Sequence, residues 1–162
     1  MNSFNVREIP KLIVSILFVF LAGAVGTVYT LKQITTWYVS LIKPAWTPPN
    51  WAFGPIWSTL YVLMGISLFL VWREGLERKE VKIAIVVFAA QLVINVVWSL
   101  IFFASHNIIG GLVMVIILRI SVLITILVFY RISKPAAIIL IPYLIWVTIA
   151  GYLNYTVFLL NP

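Results

Sequence analysis

The stretch Leu12-Ile13-Val14-Ser15-Ile16-Leu17-Phe18-Val19-Phe20-Leu21-Ala22-Gly23-Ala24-Val25-Gly26-Thr27-Val28-Tyr29-Thr30-Leu31 runs for twenty residues without a charge. That is about the length an α-helix needs to cross the hydrocarbon core of a bilayer. Four more runs of the same kind follow. Residues 51–72, 83–105 and 135–160 carry no charge, and 108–130 carries one, Arg119. The expected fold is all-α, an integral membrane bundle of five transmembrane helices in a single domain spanning 1–162. Only two connections have any length, Lys32–Asn50 and Arg73–Lys82. Arg7, Lys11 and the Ala22-Gly23-Ala24 triplet imitate a secretory signal, but the apolar run exceeds the roughly 7–15 residues of a signal core. The first helix is therefore expected to be retained.

Composition supports lipid as the solvent. Apolar residues make up 64% of the chain and charged residues 9%, against roughly 45–50% and 25% in soluble domains. The absences exclude whole classes of chemistry. The chain has no cysteine, one histidine, and only glutamates among its four acids. Disulfides, thiol nucleophiles, zinc clusters and iron–sulfur sites are ruled out, and a Ser–His–Asp triad lacks its acid. No catalytic or metal-ligating set is expected. The net charge of +7 is scattered between apolar runs rather than clustered on a soluble face, so no nucleic-acid partner is expected. Membrane lipid is.

The basic residues indicate sidedness. Arg7, Lys11, Arg73, Arg78, Lys79, Lys82, Arg131 and Lys134 fall on one side of the five spans, and Lys32 and Lys43 on the other. Positive charge favours the cytoplasm. The expected topology is a cell-membrane protein with its N-terminus cytoplasmic, its C-terminus outside, and the first long connection facing outward.

That connection and the helix after it read Lys43-Pro44-Ala45-Trp46-Thr47-Pro48-Pro49-Asn50-Trp51-Ala52-Phe53-Gly54-Pro55-Ile56-Trp57-Ser58-Thr59-Leu60-Tyr61. Prolines fix extended and turn geometry, and Pro55 suits a first helical turn. Tryptophans at this density supply interfacial anchors or a stacking wall. With Gln91, Asn95, Trp98 and Phe102-Phe103 in the third span, and Pro142 to Trp146, Ala150 and Leu153 to Tyr155 in the fifth, the chain closely resembles the translocator protein family, also known as tryptophan-rich sensory proteins or peripheral benzodiazepine receptors. The blocks occur in the family's order across nearly the whole chain. The resemblance implies a five-helix bundle, often a homodimer, that binds porphyrin or haem-related tetrapyrroles inside the bundle, beneath the first loop. No further cofactor is implied. The ligand-binding residues it suggests are Trp51, Phe53, Tyr61, Gln91, Asn95, Tyr143, Trp146, Ala150 and Leu153. Trp51 would close the mouth, Asn95 supply a polar contact and Trp146 a stacking surface, and Ala150 leave space.

Helical spacing is compatible with such a lining. Gln91, Asn95 and Trp98 share one face, as do Tyr143, Trp146, Ala150 and Asn154, and Trp57, Tyr61 and Gly65. Amides in membrane helices equally serve as interhelical hydrogen-bonding groups. Gln91 and Asn154 fit either role. Ala22, Gly23, Gly26, Thr27 and Thr30 suit close helix packing or a smooth pocket wall, and the same pair of readings applies to Gly110-Gly111. Pro142 denies the Ile138 carbonyl its helical donor, which predicts a kink.

Two residues stand apart. Arg119 lies eleven residues from each end of its span, with no carboxylate placed to meet it. It serves either a helix or subunit interface, or an anionic ligand group; family members do not generally carry arginine here. His106, in the turn after the third span, is either solvated or an axial haem ligand. The sterol motif of animal members needs a basic residue after Leu153 and Tyr155, and 156–162 contains none, so sterol binding is not expected. The aromatic residue that the family has early in the fourth helix is replaced around Gly110. A short C-terminus and no transit peptide fit a prokaryotic plasma membrane. Two rival functions remain open at this stage: light- or oxygen-dependent porphyrin breakdown using Trp51 and Trp146, and a small exporter or channel.

Overall fold

The computed structural model describes residues 6–162, which are helical with no strand among them. After a 3-10 turn at Val6–Glu8 come α1 (Ile9–Ile34), α2 (Trp37–Ser40), α3 (Asn50–Trp72), α4 (Lys79–Ser99), α5 (Ile108–Tyr130), α6 (Lys134–Ile139) and α7 (Ile141–Leu160). A π-helical turn, Leu100–Ala104, extends α4. Five segments are long and apolar enough to cross a membrane: Ile9–Ile34, Asn50–Trp72, Lys79–Ala104, Ile108–Tyr130 and Lys134–Leu160. All five expected spans are present. Several reach beyond their apolar runs because a helix continues into the interface, where charges are tolerated. Thus α1 takes in Lys11 and Lys32, and α4 begins at Lys79 rather than Ile83.

The crossings form a ring in the order α1, α3, α6–α7, α5, α4. Lipid tails are as apolar as leucine, so helices associate in a bilayer through close packing and interhelical hydrogen bonds. Both are visible. Gly65 of α3 lies against the α1 backbone, where a Cβ would sit 2.6 Å from the Ile16 Cα. The buried Ser67 hydroxyl donates to the Ala136 carbonyl at 2.7 Å, tying α3 to α6.

Both prolines act differently from the simplest expectation. Pro55 sits in the second turn of α3, not the first, so it offers no N–H to the Trp51 carbonyl one turn back. Pro142 does more than kink its span. It opens α7, and the chain breaks at Leu140 between α6 and α7.

The first connection is a folded cap containing α2. Tyr38 is buried (2% exposed) against Phe53, Phe102 and Phe103, with ring centroids 5.8–6.3 Å away. Burial pushes its hydroxyl pKa up to about 12. The Lys43 ammonium donates to the carbonyls of Tyr38 (2.6 Å) and Leu41 (2.9 Å) and lies 4.8 Å from the Tyr38 ring; burial lowers its pKa. Two latches hold the cap to α7. Trp46 stacks on Tyr152 at 5.3 Å. Asn161 accepts from the Ile42 N–H at 3.0 Å and donates to the Ile42 carbonyl at 2.9 Å. Asn161→Ala removes both bonds, each worth about 0.5–1.5 kcal/mol. The expected result is faster proteolytic cleavage within 42–48 with little change in global unfolding, measured by limited proteolysis beside a thermal melt.

At the opposite end, Arg73 pairs with Glu8 at 3.2 Å, and Gly75 adopts φ +105° in the tight turn leaving α3, a left-handed geometry that suits glycine. Alternating helices bring Lys11, Arg78, Lys79, Lys82, Arg131 and Lys134 to this same end, with Lys32 and Lys43 at the other. The Arg7 side chain lies outside the described part of the structure.

Candidate ligand-binding site

Beneath the cap lies a cavity of about 350 Å³ between α1, α3 and α4. The α1 wall carries Phe20, Gly26, Thr27 and Thr30; α3 contributes Asn50, Phe53, Trp57 and Tyr61; and α4 with its π turn contributes Asn95, Trp98, Ser99 and Phe103. The extra residue in that turn bonds Ser105 N–H to the Leu100 carbonyl at 2.9 Å. It shifts the helical register and turns Phe102 and Phe103 inward, both buried. Flat ring faces dominate. Trp57 lies 5.6 Å from Tyr61 and 6.2 Å from Trp98, centroid to centroid. The polar part is small. The Thr30 and Ser99 hydroxyls lie 2.8 Å from each other and 3.0 Å from the Gly26 carbonyl, so one donates to the carbonyl and the other donates to its partner hydroxyl.

A second space, a slit of about 20 Å³, lies against α7 and is bordered by Tyr38, Trp146, Ala150, Leu153 and Asn154. It has room for about one water. Phe53, Trp98 and Phe103 belong to the walls of both spaces. A single aromatic partition therefore separates the α7 stripe from the main cavity.

The nine residues suggested by sequence distribute unevenly. Phe53, Tyr61 and Asn95 line the main cavity. Trp146, Ala150 and Leu153 line the slit, along with Phe53. Gln91 and Tyr143, each 1% exposed, line neither. They form a buried relay with Asn95, whose amide donates to the Tyr143 hydroxyl at 3.0 Å while that hydroxyl donates to Gln91 Oε1 at 3.0 Å. This is the interhelical hydrogen-bonding role, joining α4 to α7. Asn154 likewise accepts a long 3.5 Å bond from Trp98 Nε1. Trp51 is 77% exposed and lines neither space. It stands outside the cavity wall, where its chain neighbours Asn50 and Phe53 are found instead.

His106 is also outside. Its ring stacks on Trp37 at 4.5 Å, and its Nε2 is 3.0 Å from Gln33 Oε1, so it pins α1 to the α4–α5 turn. Arg119 is exposed on the outer surface of α5 and lines neither space. Gly111 packs against Phe102, and Asn107 caps α5 by accepting from the Gly110 N–H at 2.7 Å. The glycine pair is thus a packing feature.

Sequence reasoning missed Phe20, Asn50 and Ser99. Thr30 signalled a wall only as one of two readings, and its partner Ser99 is 69 residues away, a distance no local pattern spans.

Comparisons with known proteins match this architecture. The TspO/MBR family model matches residues 15–160. The tryptophan-rich protein TspO of Archaeoglobus fulgidus is 44% identical over 155 residues, covering 95% of this chain and 99% of that protein. Its namesake in Chlorobaculum tepidum is 40% identical over 156 residues, with 96% and 99% covered. The human translocator protein is 36% identical over 135 residues, covering 82% of this chain and 79% of that protein. With five apolar crossings and a family match over nearly its whole length, the chain is a multi-pass membrane protein and belongs to the TspO/MBR family.

Proposed function

We propose that this protein binds a flat tetrapyrrole, a porphyrin or haem-related molecule, in the space under the cap, from a cell membrane in which its N-terminus is cytoplasmic and its C-terminus outside. The observation that carries the reading is a pair of buried donors beside the slit. Trp146 Nε1 and the Tyr38 hydroxyl are both shielded from solvent with no hydrogen-bond partner. An indole N–H can only donate, and a buried donor without an acceptor costs about 1–3 kcal/mol. A ligand carboxylate or carbonyl reaching this edge once the aromatic partition is displaced would give such a donor its acceptor. The main cavity, about 350 Å³, falls within the roughly 300–1,000 Å³ typical of small-molecule sites, and its ring faces suit a conjugated plane. Phe53, Trp98 and Phe103 are the walls that the two spaces share, so a ligand that displaces this partition would span both.

Titrating the detergent-solubilised protein with protoporphyrin, followed by its absorption band and by tryptophan quenching, tests this. Saturable one-to-one binding is expected. Trp146→Phe keeps the ring and removes the donor, and should weaken binding about ten-fold, as expected for a hydrogen bond to a charged group. Arg119→Gln, on the outer surface, should leave affinity unchanged. Non-saturable quenching, equal in wild type and Trp146→Phe, overturns the reading.

A further inference from the structure

Arg119 is the only charged side chain lying more than three residues inside any described crossing. Eleven residues separate it from either end of α5, about 16 Å at 1.5 Å per residue. That places it near the middle of a hydrocarbon core about 30 Å thick, farther from either interface than an extended arginine reaches by snorkelling. It is exposed, and among the described residues no hydrogen bond or ion pair reaches it. A guanidinium facing lipid at this depth is costly, so such charges ordinarily pair or face a cavity.

Its surroundings have the geometry of a helix-docking seam. Ile109, Val113, Ile116, Ile120, Leu123 and Leu127 are all exposed and alternate by four and three residues. That repeat averages 3.5, the spacing at which a second helix packs along the first. Arg119 flanks the seam next to Ile120, the kind of position that carries the charges selecting a partner. We propose that this face of α5 docks a transmembrane helix of a different protein, one bearing a carboxylate at mid-membrane depth. A planar guanidinium matches a carboxylate with two parallel hydrogen bonds. A second copy of this chain does not fit. Its glutamates, Glu8, Glu74, Glu77 and Glu80, sit at the ends of the crossings, and in a parallel pair the position that faces Arg119 across the seam is Ile124 of the second copy, so neither guanidinium meets an acceptor.

The test uses the full-length labelled protein in phosphatidylcholine vesicles with a synthetic leucine–alanine transmembrane peptide, read by energy transfer in mildly alkaline buffer. A peptide with a central glutamate should associate about ten-fold more tightly than one with a central glutamine, or one whose glutamate is moved two turns toward an end. Arg119→Leu, an exposed change that leaves the bundle packing untouched, should abolish the preference, and Arg119→Lys should retain part of it. Equal association of all peptides overturns the proposal, since the guanidinium is then served by lipid phosphate or water. So does self-association of the protein that Arg119→Leu abolishes, which assigns the face to a second copy.

Discussion

Gly65→Val is expected to lower the unfolding midpoint of the detergent-solubilised protein by about 5–10 °C, taking overpacking at about 1–3 kcal/mol or somewhat more and about 2–4 °C per kcal/mol at this size. The reason is what the new Cβ meets. It would lie 2.6 Å from the Ile16 Cα, 2.7 Å from its Cγ1 and 3.1 Å from its backbone nitrogen. A side chain can rotate away from such contact, whereas a helix backbone cannot, so α1 and α3 must separate. These two helices wall the main cavity, and porphyrin affinity should fall with stability. Gly151→Ala supplies the control. A Cβ there meets only Val115 methyl groups at 3.7 and 3.8 Å, ordinary contact distances, and the midpoint should hold. A thermal melt followed by near-ultraviolet circular dichroism reads both variants. Equal midpoints for Gly65→Val and wild type would mean that the α1–α3 approach is looser than described.

Tyr143→Phe is expected to destabilise the bundle by about 2 kcal/mol while leaving its shape intact. The hydroxyl is the middle of the relay from Asn95 to Gln91, with both bonds at 3.0 Å. Removing it deprives a buried donor and a buried acceptor at once, and Gln91 Nε2 already lacks a partner. Each stranded group costs about 1–3 kcal/mol in a water-referenced interior. Interhelical hydrogen bonds in membranes average nearer 0.6 kcal/mol because the unfolded helices find other partners, which holds the sum to the lower part of that range. A double-mutant cycle separates the relay from simple packing. Gln91→Leu combined with Tyr143→Phe should cost less than the sum of the two single changes, because the pair removes both ends of one bond. Strict additivity would show that the two side chains do not communicate.

The relay also shows why the site was only partly legible in the sequence. Helical spacing put Gln91, Asn95 and Trp98 on one face, and that face is buried. Spacing does not say whether a buried face meets a neighbour or a space. Asn95 meets both, touching the cavity and bonding Tyr143, whereas Gln91, four residues earlier on the same face, lines no cavity and bonds Tyr143 of α7. Trp51 illustrates the converse. The resemblance implied that it closes the mouth of the pocket, yet it is exposed and lines no wall of the cavity, where Asn50 and Phe53 are found instead. The α7 stripe of Trp146, Ala150 and Leu153 does share a space, but Phe53, Trp98 and Phe103 partition it from the larger one.

The sequence by itself determined the solvent, the number of crossings and the family. Those rest on local quantities: runs of about twenty apolar residues, charges between them, and tryptophan, proline and amide blocks readable in order. Tertiary structure alone decided which walls enclose the cavity. Thr30 and Ser99, Gly65 and Ile16, and Asn161 and Ile42 lie far apart along the chain, and nothing in either local pattern requires the other. Their pairing follows from how five helices, with no hydrophobic drive to separate inside from outside in lipid, settle by close contact and shared hydrogen bonds. For the same reason the outward position of Arg119 was undecidable from its span, where an arginine turned inward or outward leaves the same apolar run.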